Sequence, residues 1–169
     1  LEVEDYAYHP KWYFALGEKA TADMIDEKRY VAHLHGAGWV LDGLGKFYQA
    51  AGYEPARELG EKLTRYLVKR LSNVDNVHWH TNTQSLLGIL ELCMATGDQE
   101  AAAFAEEHFE FLKSWGNVTL GFFPEQVGPI SDYRHAETCA VAGMIVVGLK
   151  LSEMGVADHW DEVDRWVRN

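Results

Sequence analysis

An internal repeat is the feature of this sequence that most constrains its fold. When Gly52 is aligned with Gly97, the segment His33-Leu34-His35 falls on His78-Trp79-His80, and apolar positions coincide on both sides of the glycine. A looser third copy occupies residues 136–169. Repeats of this length are typical of proteins that stack one helical unit on the next. The repeat therefore predicts an all-α protein.

Each copy has the pattern of a helical hairpin. A first helix is predicted to end at Gly52, Gly97 or Gly155, because glycine readily adopts the left-handed conformation that closes a helix. A second helix is predicted a few residues later, and Pro55 suits the first turn of such a helix. The predicted hairpins cover about residues 33–72, 78–116 and 135–169, and a further outer helix is predicted at about 11–22.

The two helices of a hairpin differ in their apolar pattern. In the second copy, apolar residues between 86 and 93 cover most of the first helix, which is typical of a buried helix. The second helix of the first copy carries a single stripe that includes Leu59, Leu63 and Leu67. A buried helix followed by an amphipathic helix predicts an inner and an outer layer. This is the arrangement of an (α/α)6 toroid, and an open α-solenoid is the alternative.

Three hairpins make up about half of such a ring. Residues 1–169 are therefore expected to form a single all-α domain or a fragment of a larger toroid. The first and last inner helices of a half-ring would expose apolar flanks. A second copy of the chain could cover them, and a homo-oligomer would then complete the ring.

The acidic composition of the chain excludes some partners. A net charge of −11 and a pI of about 5.1 argue against nucleic acid and anionic membranes. No apolar run is long enough to span a bilayer. The two cysteines, Cys93 and Cys139, do not form a disulfide framework, and free thiols favour the cytoplasm. A signal peptide that has been removed leaves no trace, so secretion stays open as an alternative.

Histidines and aromatic residues recur where the inner helices are predicted to begin. If the inner helices are aligned in a ring, these side chains lie near one another at one end. Neutral imidazoles can bind a metal or hydrogen-bond a sugar hydroxyl, and aromatic faces can stack on sugar rings. The alternative is that they cap helices or pack in the core. The candidate substrate-binding residues are His33, His35, His78, His80, Trp79, Tyr133 and His135.

The third inner helix is predicted to open with the motif Glu137-Thr138-Cys139-Ala140. Here the chain resembles the glycoside hydrolase family 127 β-L-arabinofuranosidases and their relatives, six-hairpin (α/α) toroid glycosidases, over roughly residues 78–169. The resemblance implies that Glu137 and Cys139 are zinc ligands, and a carboxylate and a thiolate suit zinc. The family's other ligands, an adjacent cysteine pair, do not occur in this chain, so the implied site is incomplete. Alternatively, Cys139 is a small buried residue and Glu137 a first-turn acid.

The long connection between the second and third hairpins carries two candidate catalytic acids. Glycoside hydrolysis usually requires a carboxyl group that acts as acid and base. Glu125 stands close to two phenylalanines, which is a suitable setting for such a group, and Asp132 is the second candidate. The alternative for both is a solvated loop residue or a helix cap.

Together these features predict a carbohydrate-active hydrolase of O-glycosyl bonds. The sugar is expected to bind at the N-terminal ends of the inner helices. The first alternative is a non-enzymatic helical-repeat binding module, which requires neither a metal nor a polar cluster at one end. The second is a metal-binding helical protein that uses its histidines without sugar chemistry.

Overall fold

A computed structural model describes residues 22–72, 77–127 and 136–169 of the chain. This part is almost entirely helical, which confirms the predicted all-α fold. None of the helices described combines the length and the apolar character that a membrane span requires. The helices are α1 (Ala22–Ala51), α2 (Glu54–Leu71), α3 (Trp79–Thr96), α4 (Gln99–Trp115), α5 (Thr138–Glu153) and α6 (Trp160–Arg168), and the two short strands are β1 (Val77–His78) and β2 (Gln126–Val127).

Glycines follow the first helix of each hairpin, as the sequence predicted. Gly52, Gly97 and Gly155 have φ values of 61°, 74° and 68°, in the left-handed region that closes a helix at little cost for glycine. The next helix of the second hairpin begins at once, because the Asp98 side chain accepts a hydrogen bond of 3.0 Å from the backbone N–H of Ala101. Short connections of this kind make neighbouring helices antiparallel.

The first helices of successive hairpins lie side by side and run in the same direction. Gly38 of α1 lies against Gln84 of α3, and Gly45, later in α1, lies against Glu91, later in α3. A methyl group at Gly38 would come within 2.9 Å of the Gln84 carbonyl oxygen. Glycine therefore permits the two backbones to approach closely.

The opposite side of α3 packs against α5, where Gly143 faces Thr83. Helix α3 is consequently the central helix, and most of its residues are buried. The sequence predicted the same burial for α5, but Val146 of α5 is 38% exposed. On the other side of α3, Trp39 of α1 is 57% exposed. Among the described residues, each of these two helices has an inner-layer neighbour on one side, so that an apolar strip remains exposed.

The start of α1 differs from the prediction. The repeat predicted that the first inner helix begins near His33, but α1 (Ala22–Ala51) is already helical from the first described residue, so that His33 and His35 lie well inside the helix. The physical reason is that no glycine or proline occurs between residues 22 and 35 to end a helix. The outer helix predicted at about 11–22 lies outside the described residues, apart from its last position.

A buried carboxylate joins the three inner helices near their C-terminal ends. Glu91 of α3 forms an ion pair with Lys150 of α5 and lies 4.0 Å from the ammonium group of Lys46 on α1. Its backbone carbonyl accepts a hydrogen bond of 3.0 Å from Gln49 of α1. Because cations from both neighbours face it, this buried carboxylate is electrostatically satisfied.

Candidate functional site

Two short backbone pairings bring three segments of the chain together at the N-terminal ends of α3 and α5. In the first, β1 pairs with β2 in an antiparallel register that places His78 opposite Gln126. In the second, Pro124 forms an isolated bridge with Ala136, just before α5. Residues 124–127 of the connection between α4 and α5 therefore lie between the first turns of the two inner helices.

Glu125 lies between these two pairings and is fixed by a third backbone contact. Its carbonyl oxygen accepts a hydrogen bond of 3.0 Å from the backbone N–H of Trp79, the first residue of α3. As a result, ligand atoms of His78, Glu125 and Glu137 all lie within 4.8 Å of one another, and all three residues are half-buried. We call these three residues the inner group.

Cys139 extends the inner group by one sulfur atom. Its Sγ donates a hydrogen bond of 2.8 Å to Oε2 of Glu137. Burial and this hydrogen bond raise the pKa of the Cys139 thiol to about 11. The thiol is therefore protonated at neutral pH when no cation is bound.

His78 combines a structural contact with its place in the inner group. Its Nδ1 accepts a hydrogen bond of 3.2 Å from the backbone N–H of Thr81 and lies 2.9 Å from the Thr81 hydroxyl, so that His78 caps α3. Burial lowers the pKa of His78, with a further contribution from His80 and an opposing one from Glu137. The imidazole is consequently neutral at neutral pH.

Two more polar residues hold the beginning of α3 in place. The Asn82 side chain donates a hydrogen bond of 2.9 Å to the carbonyl oxygen of His78, and its Oδ1 lies 2.8 Å from Nε2 of His108 on α4. Burial lowers the pKa of His108 to about 4, and its ring stacks on Phe104. His108 is therefore a neutral donor, a role that the sequence did not indicate because it depends on contact between two helices.

The remaining predicted site residues divide into three sets. The sequence nominated Trp79 for a sugar-binding surface, which is wrong, because its side chain is 0% exposed and forms part of the core. His80 is half-buried and lines, together with Cys139, a cavity of about 210 Å³ between α3 and α5. The third set lies outside the described residues: Asp132, Tyr133 and His135 entirely, and the side chains of His33 and His35.

The donor atoms of this region fit the zinc that the resemblance implies. Zinc takes imidazole nitrogen, carboxylate oxygen and thiolate sulfur as ligands. Glu137 and Cys139 already contact each other, and His78 brings an imidazole within 4.8 Å of the Glu137 carboxylate. The site thus contains all three kinds of zinc donor without the cysteine pair that the resemblance expects.

A second group of possible metal ligands lies between the outer helices α4 and α6. It consists of Glu106, Glu110 and His159, which we call the outer group. Here Lys113 forms ion pairs of 2.6 Å with Glu110 and with Glu162. A fixed ammonium group thus already occupies this cluster. The sequence did not predict this group, whose members within one helix are Glu106 and Glu110, four residues apart on α4.

Comparisons of the chain with protein-family models, with curated proteins and with solved structures gave no match. The functional assignment therefore depends on the geometry of the inner group and on the motif that begins at Glu137.

Proposed function

We propose that the chain is a carbohydrate-active domain of the glycoside hydrolase type and forms part of an (α/α)6 toroid. It binds a sugar at the N-terminal ends of α3 and α5 and cleaves an O-glycosyl bond there. The observation that carries this proposal is the proximity of two carboxyl groups, Glu125 and Glu137, with an imidazole within 4.8 Å of both. Glycoside hydrolysis characteristically uses a pair of carboxyl groups close to the bond that is cleaved.

The two carboxyl groups have different surroundings, which supports different roles. Glu137 accepts the hydrogen bond from Cys139 and is the residue that the resemblance makes a zinc ligand. Glu125 belongs to the loop and contacts α3 through its backbone carbonyl, which leaves its carboxyl group apart from that backbone contact. Glu125 is therefore the acid/base, which delivers a proton to the oxygen of the leaving group. Zinc, when bound beside it, would supply a Lewis acid.

The charge of the site also suits this reaction. No lysine or arginine of the described residues forms an ion pair with Glu125 or Glu137. Glycosyl transfer passes through a state in which positive charge develops on the sugar ring. Carboxyl groups that are not neutralised by a fixed cation stabilise such a charge, and the imidazole rings of His78 and His80 are suited to binding hydroxyl groups.

The test is hydrolysis of a panel of aryl glycosides that includes an aryl β-L-arabinofuranoside, the substrate class implied by the resemblance. We expect the full chain to release the aryl group from at least one of them. Glu125→Gln should lower kcat by about 100- to 10,000-fold, because general acid catalysis contributes that much. Glu107→Gln, an exposed acid on α4, is the matched control and should leave the rate unchanged. Release of no sugar, or an E125Q rate equal to the native one, would contradict the proposal.

A metal-binding protein without sugar chemistry is the second candidate. It is favoured by one observation, the group of His78, Glu125 and Glu137, whose ligand atoms lie within 4.8 Å of one another and whose Glu137 also contacts the Cys139 thiol. This candidate predicts zinc binding together with no hydrolysis of any glycoside in the panel. Measuring both properties on the same preparation separates the two functions.

A further inference from the structure

We propose that the groove between the outer helices α2 and α4 is a second binding site, which takes a free amino acid with an apolar side chain. The groove lies beside the C-terminal end of α3, whereas the inner group lies at the N-terminal end of that helix. It therefore shares no residue with the proposed hydrolase site. Binding is measured without a glycoside or a metal, so that the two proposals can fail separately.

Two cavities make up the groove. The larger has a volume of about 510 Å³ and lies between α2 and the beginning of α4, and the smaller, of about 120 Å³, reaches the end of α3. Both are lined by Thr64 and Arg65 of α2 and by Asp98, the residue that caps α4. The larger volume falls in the range of about 300 to 1,000 Å³ that is usual for small-molecule sites.

The next pair of outer helices shows why this groove is open. The repeat register pairs Val68 of α2 with Lys113 of α4, and Phe104 of α4 with Glu162 of α6. Lys113 and Glu162 form an ion pair of 2.6 Å across their groove. The corresponding residues of the first groove are two apolar side chains that line the larger cavity. The same structural repeat therefore closes one groove with its own charges and leaves the other open.

Two polar groups of the open groove have no partner in the part of the chain that the structure describes. Thr64 is 6% exposed, and its buried hydroxyl oxygen takes part in no hydrogen bond. Arg65, the next residue, forms no ion pair. A buried hydroxyl without a partner costs stability. Because threonine uses two side-chain rotamers in helices, this hydroxyl can turn towards a ligand in the groove.

Charges of both signs identify the class of ligand. Arg65 of α2 and Asp98 at the start of α4 both line the smaller cavity, so a cation and an anion lie close together there. One carboxylate oxygen of Asp98 caps α4 through the N–H of Ala101, which leaves the other for a ligand. A free amino acid carries a carboxylate and an ammonium group on one carbon, and charge-assisted hydrogen bonds would hold both. Val68, Ala101 and Phe104 of the larger cavity provide apolar surface for its side chain.

The probe is L-phenylalanine, and its binding to the full chain is measured by calorimetric titration. Three further compounds each lack one recognised group: phenylpropanoate lacks the ammonium group, phenethylamine lacks the carboxylate and glycine lacks the apolar side chain. The variants are Arg65→Gln, Thr64→Val and Asp98→Asn, in which asparagine preserves the helix cap. Arg70→Gln, the same change at an exposed arginine of α2 that does not line the groove, is the matched control.

We expect saturable binding of L-phenylalanine to the native chain and to R70Q. R65Q and D98N should bind it at least about 10-fold more weakly, since a hydrogen bond to a charged group contributes that much. The three compounds that lack one group should bind the native chain more weakly by a similar factor. T64V should bind L-phenylalanine about 2- to 10-fold more weakly without a lower melting temperature, because it removes a buried hydroxyl that has no partner.

Circular dichroism must show native helicity in R65Q and D98N. The proposal is overturned if the native chain does not bind L-phenylalanine, or if folded R65Q binds it with native affinity. It is also overturned if phenylpropanoate or phenethylamine binds as tightly as the amino acid, since one of the two charges would then not be recognised. A lower melting temperature of T64V would contradict it as well, because the hydroxyl would then have a structural role.

Discussion

The inner and outer groups contain similar residues but differ in one respect, the presence of a fixed cation. Each group has two glutamates and one histidine whose ligand atoms lie within 4.8 Å of one another. In the outer group, Lys113 contacts Glu110 and Glu162 at 2.6 Å, and its side chain is only 11% exposed. In the inner group, neither glutamate forms an ion pair with a lysine or arginine of the described residues.

This difference indicates what each group does. His159 lies 3.0 Å from Glu106 of α4 and 3.1 Å from Glu162 of α6, so that the outer group connects two outer helices. Glu91 in the core is neutralised by lysines in the same manner. Carboxylates that are paired in this way stabilise the arrangement of helices and have little remaining charge for a ligand. The glutamates of the inner group form no such ion pair among the described residues, so they can interact with an external cation or with a developing positive charge.

The strongest test of the comparison is to neutralise one glutamate in each group and measure zinc binding. Glu137→Gln alters the zinc ligand that the resemblance implies, and we expect zinc affinity to fall by more than about 100-fold. Glu106→Gln makes the same chemical change in the outer group and should leave zinc affinity unchanged. Chelator competition measures both. Equal losses in the two variants, or a loss in E106Q alone, would show that the ion binds between the outer helices.

The second test uses His108, which contacts the inner group through Asn82: the Asn82 side chain bonds to both His108 and the His78 carbonyl. Burial lowers the pKa of His108 from 6.5 to about 4, so that the unfolded chain binds more protons than the folded chain between these pH values. The contribution of His108 to stability is therefore complete above pH 6.5 and is lost as the pH falls towards 4. The shift corresponds to about 3 kcal/mol of unfolding free energy. Urea denaturation from pH 4 to 7 measures it.

A variant without this histidine isolates its contribution. His108→Phe keeps an aromatic ring beside Phe104 but cannot take up a proton. We expect the slope of unfolding free energy against pH to flatten in this window, and the stability at pH 7 to decrease because Asn82 loses its partner. An unchanged slope in H108F would mean that other groups cause the acid sensitivity.

The comparison also explains how much of this molecule can be predicted from its sequence. The helix ends could be predicted because Gly52, Gly97 and Gly155 act locally, through their own backbone conformation. The start of α1 could not, since the repeat register places a histidine pair but does not end the helix before it. Trp79 was misjudged because an aromatic residue at a helix start has the same spacing whether it faces solvent or the core.

The inner and outer groups also differ in how far the sequence could predict them. Hairpin register indicated that His78 and Glu137 occur at the same end of the inner layer, because parallel helices in a repeat bring equivalent positions together. The contact with Glu125 depends on two backbone pairings of one or two residues, which leave no periodic pattern in a sequence. The outer group was missed altogether because His159 and Glu106 are 53 residues apart and belong to different hairpins.

The smallest expected effect comes from removing the cation of the outer group. Lys113→Met preserves most of the apolar stem but leaves Glu110 and Glu162 facing His159 and Glu106 without an ammonium group. Glu110 is 50% exposed, so water compensates in part for the lost ammonium group. We therefore expect the unfolding free energy to fall by about 1.5 kcal/mol, a value between those of surface and buried ion pairs. Lys62→Met, an exposed lysine on α2, is the control and should change stability by less than about 0.5 kcal/mol. Zinc affinity should be unchanged in both variants, because the proposed zinc site lies in the inner group and Lys113 in the outer one. If K113M were as stable as the native chain, the lysine would not hold the outer helices together. The structural role that we assign to the outer group would then be contradicted.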